Sequence, residues 1–168
     1  MRLRLASILA VVTLLGCGNP AEPTGLVRRG LYVLASIDQQ PPPLIIYRQD
    51  FGDTLSALGA FDYDSIRIVN DTLVERHFSR SDYQQRPGQA PVVLATTSVS
   101  AAGLILPRDS EIVLLLQTPF GPAQPAESFA VRPEGLLRRV LISRARCVAV
   151  SSCIVISHRY ADALYTRR

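Results

Sequence analysis

Few residues in this 168-residue chain can do covalent or acid–base chemistry: three cysteines, two histidines and no lysine, so that all 18 basic residues are arginine. The cysteines fall in two places. Cys17 closes the stretch Leu14-Leu15-Gly16-Cys17 at the end of an apolar run, and Cys147 and Cys153 bracket Val148-Ala149-Val150-Ser151-Ser152. That gap does not match the spacing of structural zinc ligands. No metal or other cofactor is implied. His77 and His158 are the side chains able to act as bases near neutral pH. Neither belongs to a catalytic signature: the chain has no G-x-S-x-G elbow, no H-E-x-x-H and no phosphate-cradling glycine loop. His77 alternates with Glu75 and Ser79 and is expected on a solvated strand face, and His158 at the rim of a strand. Asp62 and Asp64 are expected as solvated charges on a loop. Asn70-Asp71-Thr72 matches a glycosylation pattern, but a hairpin turn explains it better.

The elements around Cys17 say what its thiol is for. Met1-Arg2-Leu3-Arg4 is a short positive segment, and Leu5 to Leu15 is apolar apart from Ser7 and Thr13. As a helix, those residues reach only roughly 16 Å, against roughly 30 Å of bilayer hydrocarbon. The pattern is that of an export signal and not of a membrane span. Its end, Leu14-Leu15-Gly16-Cys17, resembles the lipobox of bacterial lipoproteins. The resemblance implies cleavage before Cys17, a diacylglycerol on its thiol and an acylated amine, with residues 1–16 as signal peptide. Several acyl chains hold a protein at a membrane surface without any transmembrane helix. Gly18 is not the Asp that resembles an inner-membrane retention signal, so placement at the outer membrane is expected. Residues 17–29 carry prolines and glycines without apolar periodicity and read as a tether.

Export also bears on the other two cysteines. In an oxidising compartment Cys147 and Cys153 have one intramolecular bridge open to them. A continuous strand would hold their Cα atoms roughly 20 Å apart, against a bonding range of about 4.4–6.8 Å. A disulfide therefore requires a turn, although only Ser151-Ser152 favours one. We expect the bond, and with it antiparallel segments on either side.

Charge excludes one class of partner. Loss of Arg2 and Arg4 with the signal leaves 16 arginines against 14 acidic residues, too balanced for nucleic-acid binding. The balance is uneven along the chain. Gly135 to Arg168 holds seven arginines and one acid, Asp162, so an anionic surface or an acidic partner is conceivable there, but arginine stems covering apolar surface explain it more simply.

From Gly30 onward the signals favour strands. Short segments rich in branched residues recur at Leu31–Ile37, 43–48, Ser65–Val69, 72–78, Val92–Ser100, Gly103–Leu106, Glu111–Gln117, Ser128–Arg132, Leu136–Ser143 and Ile154–Tyr160. Turn-forming clusters such as Arg86-Pro87-Gly88 and Arg132-Pro133-Glu134-Gly135 separate them. Only residues 53–60 suggest a helical turn. The expected fold of residues 30–168 is all-β: a single antiparallel barrel or sandwich of about eight to ten strands.

The entry Gly30-Leu31-Tyr32 is similar to the Gly-x-Trp start of lipocalin-like barrels, with Tyr in place of Trp. The resemblance implies an up-and-down barrel and an arginine from the last strand beside the aromatic ring, a place open to Arg159 or Arg167. A small barrel of about eight strands can hold one small apolar ligand. Two roles are therefore expected, neither catalytic. One is a lipid-anchored binding module with an apolar interior. The other is an envelope interaction protein with a packed core that works through protein partners. A hydrolase lacks its motifs. A ligand-sized interior favours the first role, and an exposed apolar patch beside the arginine-rich C-terminal segment favours the second.

Overall fold

The computed structural model describes residues 27–118, 125–149 and 152–168. The signal segment, Cys17 and most of the tether lie outside the described residues. The secondary structure is strand: β1 (Gly30–Ile37), β2 (Leu44–Phe51), β3 (Leu55–Ile68), β4 (Leu73–Gln85), β5 (Val92–Arg108), β6 (Glu111–Gln117), β7 (Glu127–Arg132), β8 (Gly135–Ala149) and β9 (Ser152–Arg167). There is no helix among the described residues.

Eight strands close an antiparallel barrel. From β3 to β9 each strand pairs with the next, and β1 joins β9 to β3. The order is up-and-down, as expected, and closure leaves the ring itself without an open edge. Alternation fills the inside. Val74 and Arg76 of β4, Ile112 and Leu114 of β6, Ala161, Ala163 and Tyr165 of β9 all point inward, with Phe129 and Leu136 between them.

The ninth strand, β2, is the departure from a simple barrel. Strand β8 gives one edge to β9 and the other first to β7, at Gly135–Leu137, and then to β2, at Ser143–Cys147. Strand β3 likewise pairs with β4 on one side and, on the other, with β2 at Leu55–Phe61 and β1 at Ser65–Ile68. The long strands β3, β4, β5, β8 and β9 thus run past the ring at one end, where β2 joins them into a six-stranded sheet, β9–β8–β2–β3–β4–β5. The barrel has a near end, where the chain enters at Gly30, and a far end, where this sheet extends.

Local chemistry accounts for the connections. Asn70 turns β3 into β4, its side-chain oxygen accepting the Thr72 and Leu73 amides at 2.9 and 2.8 Å, as expected of that turn. Asp38 and Gln39 take positive φ at the end of β1. Cys147 and Cys153 are bonded across the β8–β9 hairpin as cross-strand partners, so the expected disulfide and antiparallel neighbours are both present.

Two expectations are corrected. Residues 53–60 form no helical turn; from Leu55 they are strand, held between β2 and β4. Pairing on both edges overrides the weak propensity of Ala57, Gly59 and Ala60. The same strand carries Asp62 and Asp64, which are therefore not loop charges. Asp64 is fully buried.

Candidate functional site

The barrel lumen is crossed by a buried ionic network. Arg76 of β4 grips Asp64 of β3 with two bonds, Nε to Oδ1 at 2.9 Å and Nη2 to Oδ2 at 2.6 Å. Its third nitrogen, Nη1, reaches both oxygens of Glu127 on β7, at 2.8 and 2.7 Å. Tyr165 of β9 donates its hydroxyl to Asp64 Oδ2 at 2.7 Å. Arg138 of β8 lies 2.7 Å from Glu127, out of line for a hydrogen bond, and also faces the Phe129 ring. Two arginines and two carboxylates balance, which is what allows them to be buried. Burial works against the Arg76 charge, but the Asp64 contacts dominate and raise its pKa; burial likewise raises that of Tyr165. Strands β4 and β7 are separated by two others in the ring, so a direct bond between them passes through the lumen. The Phe129 and Tyr165 rings meet there edge to face, 5.6 Å apart. This interior is occupied by the protein's own side chains.

Polar clusters also hold the far-end sheet. Arg144 of β8 reaches Asp50 of β2 at 2.8 Å, across the parallel β2–β8 pair. Asp50 also takes bonds from Arg48 at 2.6 Å and Ser56 at 2.7 Å. Burial pushes the Asp50 carboxyl up, but the bonds from Ser56, Arg48 and Arg144 outweigh it and hold it at about 2. Beside them Tyr47 donates to Asp82 at 2.9 Å, with Arg80 stacked over the Tyr47 ring. These groups are paired with one another and serve to position β2.

The histidines part company. His77 is exposed on β4 and shares a 2.9 Å hydrogen bond with Ser100 of β5. A serine beside a histidine is the start of a nucleophilic site, but this pair has no carboxylate on the histidine's other nitrogen among the described residues. The β4 amides on either side of His77 are committed to the β3–β4–β5 ladder. His158 is exposed on β9, as expected of a rim position. Of the two arginines considered for the aromatic ring, Arg167 is the register partner of Tyr32 on β1, whereas Arg159 pairs with Asp38 at the far end.

The far-end sheet leaves two edges open among the described residues. Strand β5 meets β6 only from Ala102 onward, and β9 meets β1 only from Ala163 onward. Along these edges apolar side chains stand in solvent on both faces of the strand. Val92, Val93 and Leu94 are 62%, 53% and 62% exposed on β5; Ile154, Val155 and Ile156 are 72%, 60% and 49% exposed on β9. Arg144, Arg146 and Arg159 lie beside the second group. Edges in natural sheets are normally protected by charge, proline or a bulge. Here each edge carries one bulge, at Leu94 and at Ile156, but no charged residue occurs from Ala90 to Pro107, or between Arg146 and His158.

Sequence reasoning anticipated the Cys147–Cys153 bond and the Asn70 turn and left Arg159 and Arg167 both open beside Tyr32, and it missed Arg76, Asp64 and the open edges. An arginine between Val74 and Phe78 on the apolar face of a strand was the visible signal for the lumen network. The uncharged run from Ala90 to Pro107 was the signal for the β5 edge. No protein-family model matches this chain, and neither a curated protein nor a solved structure matches it.

Proposed function

We propose that this chain is a lipid-anchored envelope protein in which the barrel is a packed scaffold and the open far-end edges engage a protein partner by adding its strand to the sheet. The observation that carries the reading is the pair of uncharged edges, each with unpaired main-chain groups and exposed branched residues on both faces. Backbone hydrogen bonds supply affinity in this mode, and pockets for alternate side chains supply selectivity. The apolar group beside Arg144, Arg146 and Arg159 supports partner binding over ligand carriage. So does the bond from Arg76 to Glu127, because it occupies the space that a ligand inside the barrel would need. A lipid on Cys17 would hold the near end to the membrane and point the edges away from it.

The test places a benzophenone amino acid at Val93 and at Val155 in cells of the native host, with Glu111 on the barrel wall as control. Discrete protein adducts at both edge positions, and none at Glu111, are the expected result. Illumination that yields no adduct at either edge would overturn the reading. An adduct of twice the chain's own mass would identify the partner as a second copy. Cys17→Ser should release the protein from membranes and abolish fatty-acid labelling; unchanged labelling would remove the anchor from the account.

A further inference from the structure

The near end of the barrel carries a second feature, independent of the edges. There the register sets Tyr32 beside Arg167, and Arg132 opposite Gly135. Arg28, Arg132 and Arg167 line one groove of about 700 Å³ together with Tyr32, Ser110 and Glu134. Most other arginines near the barrel and sheet, among them Arg48, Arg76, Arg80, Arg138, Arg144 and Arg159, have a carboxylate within salt-bridge distance. These three have none among the described residues.

Two of the three are also positioned. The Tyr32 hydroxyl donates to the Arg28 carbonyl oxygen at 2.7 Å and holds that segment against the barrel mouth. The Arg167 stem lies over Gly30, within 3.3 Å of where a Cβ would stand. Both charges act on the buried Tyr32 phenol, which burial pushes up and the two guanidinium groups pull down. Three arginines against Glu134 leave the groove positive, and like charges gathered in one concavity attract an anion. Guanidinium forks match a phosphate, whose several oxygens can accept from more than one of them at once.

We propose that this groove binds a phosphate group, and that in place the phosphate is that of an anionic lipid headgroup. The second half rests on the lipid-anchor reading above. Nine residues, Gly18 to Leu26, separate Cys17 from the first described residue, a span of at most roughly 35 Å. An anchored chain therefore keeps this end of the barrel within reach of the headgroups. The tether and the groove would then fix the orientation of the molecule, with its edges turned outward.

The test uses the full exported protein purified in neutral maltoside micelles. One calorimetric titration adds inorganic phosphate; another adds phosphatidylglycerol or phosphatidylcholine to the same micelles. Saturable phosphate binding is expected, weakened about tenfold or more when Arg28, Arg132 and Arg167 are all changed to Gln. The variant with Arg67, Arg86 and Arg139 changed to Gln loses the same charge elsewhere and should bind as before. Arg132→Gln alone, at an exposed position, should weaken binding about threefold and serves if the triple variant does not fold. A preference for phosphatidylglycerol supports the headgroup as source. Phosphate binding without that preference overturns the headgroup and leaves a site for free phosphate. No saturable phosphate binding, or an equal loss in both triple variants, overturns the site. The mass of the N-terminal peptide in the same preparation reports acylation of Cys17, so failure of the anchor is seen separately from failure of the groove.

Discussion

Arg76 is the residue on which the barrel interior depends. Its guanidinium satisfies Asp64 and Glu127 together, and removing it leaves Asp64 buried without a cation and Glu127 with Arg138 alone. Arg76→Met should therefore cost about 3–5 kcal/mol in urea unfolding. Adding Asp64→Leu should recover much of that loss, because Glu127 then stays paired with Arg138 and no carboxylate is left without a cation. A cost below about 1 kcal/mol for the single change would show that water reaches the pair. Asp50 gives a pH signature. Its carboxyl has an ordinary value of 3.8 and is held at about 2 in the fold. A lowered folded value contributes stability that is fully present above the unfolded value and is lost as pH falls through the folded one. Stability should therefore fall between pH 3.8 and about 2, and Asp50→Asn should flatten that part of the profile. An identical profile in Asp50→Asn would contradict the assignment. Asp38 and Asp82 are shifted in the same direction but lie closer to solvent, which screens their share. In the sequence, Arg76 can be seen to point inward, since Val74 and Phe78 flank it at even spacing. Its partners cannot be seen, since Glu127 becomes its neighbour only when the barrel closes.

Strands were more legible than their ends. Alternation picked out the cores of β1, β4, β6 and β7, whereas β5 was divided at Ala101-Ala102 and β8 and β9 were cut short. Small residues and serines weaken the apolar signal without ending the strand. Gly103 shows what one of them does: a Cβ there would stand 1.9 Å from the Leu115 carbonyl oxygen, a rigid backbone group of β6. Gly103→Ala should force β5 and β6 apart and cost about 1–3 kcal/mol, measured by thermal unfolding. An unchanged melting temperature would mean that the two strands are not so close. Residues 53–60 misled because their local composition is helical, while their structure is decided by β2 and β4 on either side. The β8–β9 hairpin closes despite poor turn chemistry, with Cys147 and Cys153 bonded near its tip. Cys147→Ser with Cys153→Ser should lower stability by about 2 kcal/mol and leave the far-ultraviolet spectrum unchanged, since a bond across so short a loop restricts the unfolded chain only modestly. Loss of the strand signal would show that the bond is needed to form the hairpin.

At the scale of the molecule, the all-β class followed from strand count and turn spacing, and the up-and-down order was implied by the resemblance of Gly30-Leu31-Tyr32 to a lipocalin-like entry. The insertion of β2 did not. It pairs in parallel with β8, nearly a hundred residues away, and periodicity carries no information about such a partner. That strand makes the far-end sheet, and with it the two edges that are open among the described residues. The near end carries the positive groove and the route to Cys17; the far end carries the edges. An unpaired edge amide exchanges its hydrogen quickly, and one bonded to a partner strand is protected. Hydrogen–deuterium exchange, measured on the protein in native membranes and again after purification, therefore tests the partner-binding account most directly. The account predicts that the outward-facing amides, every second residue along Val92–Thr97 and Ile154–Ser157, exchange slowly in the membrane and quickly once purified, while Leu114 and Leu136 in the barrel stay protected in both. Fast exchange at both edges in native membranes would contradict it.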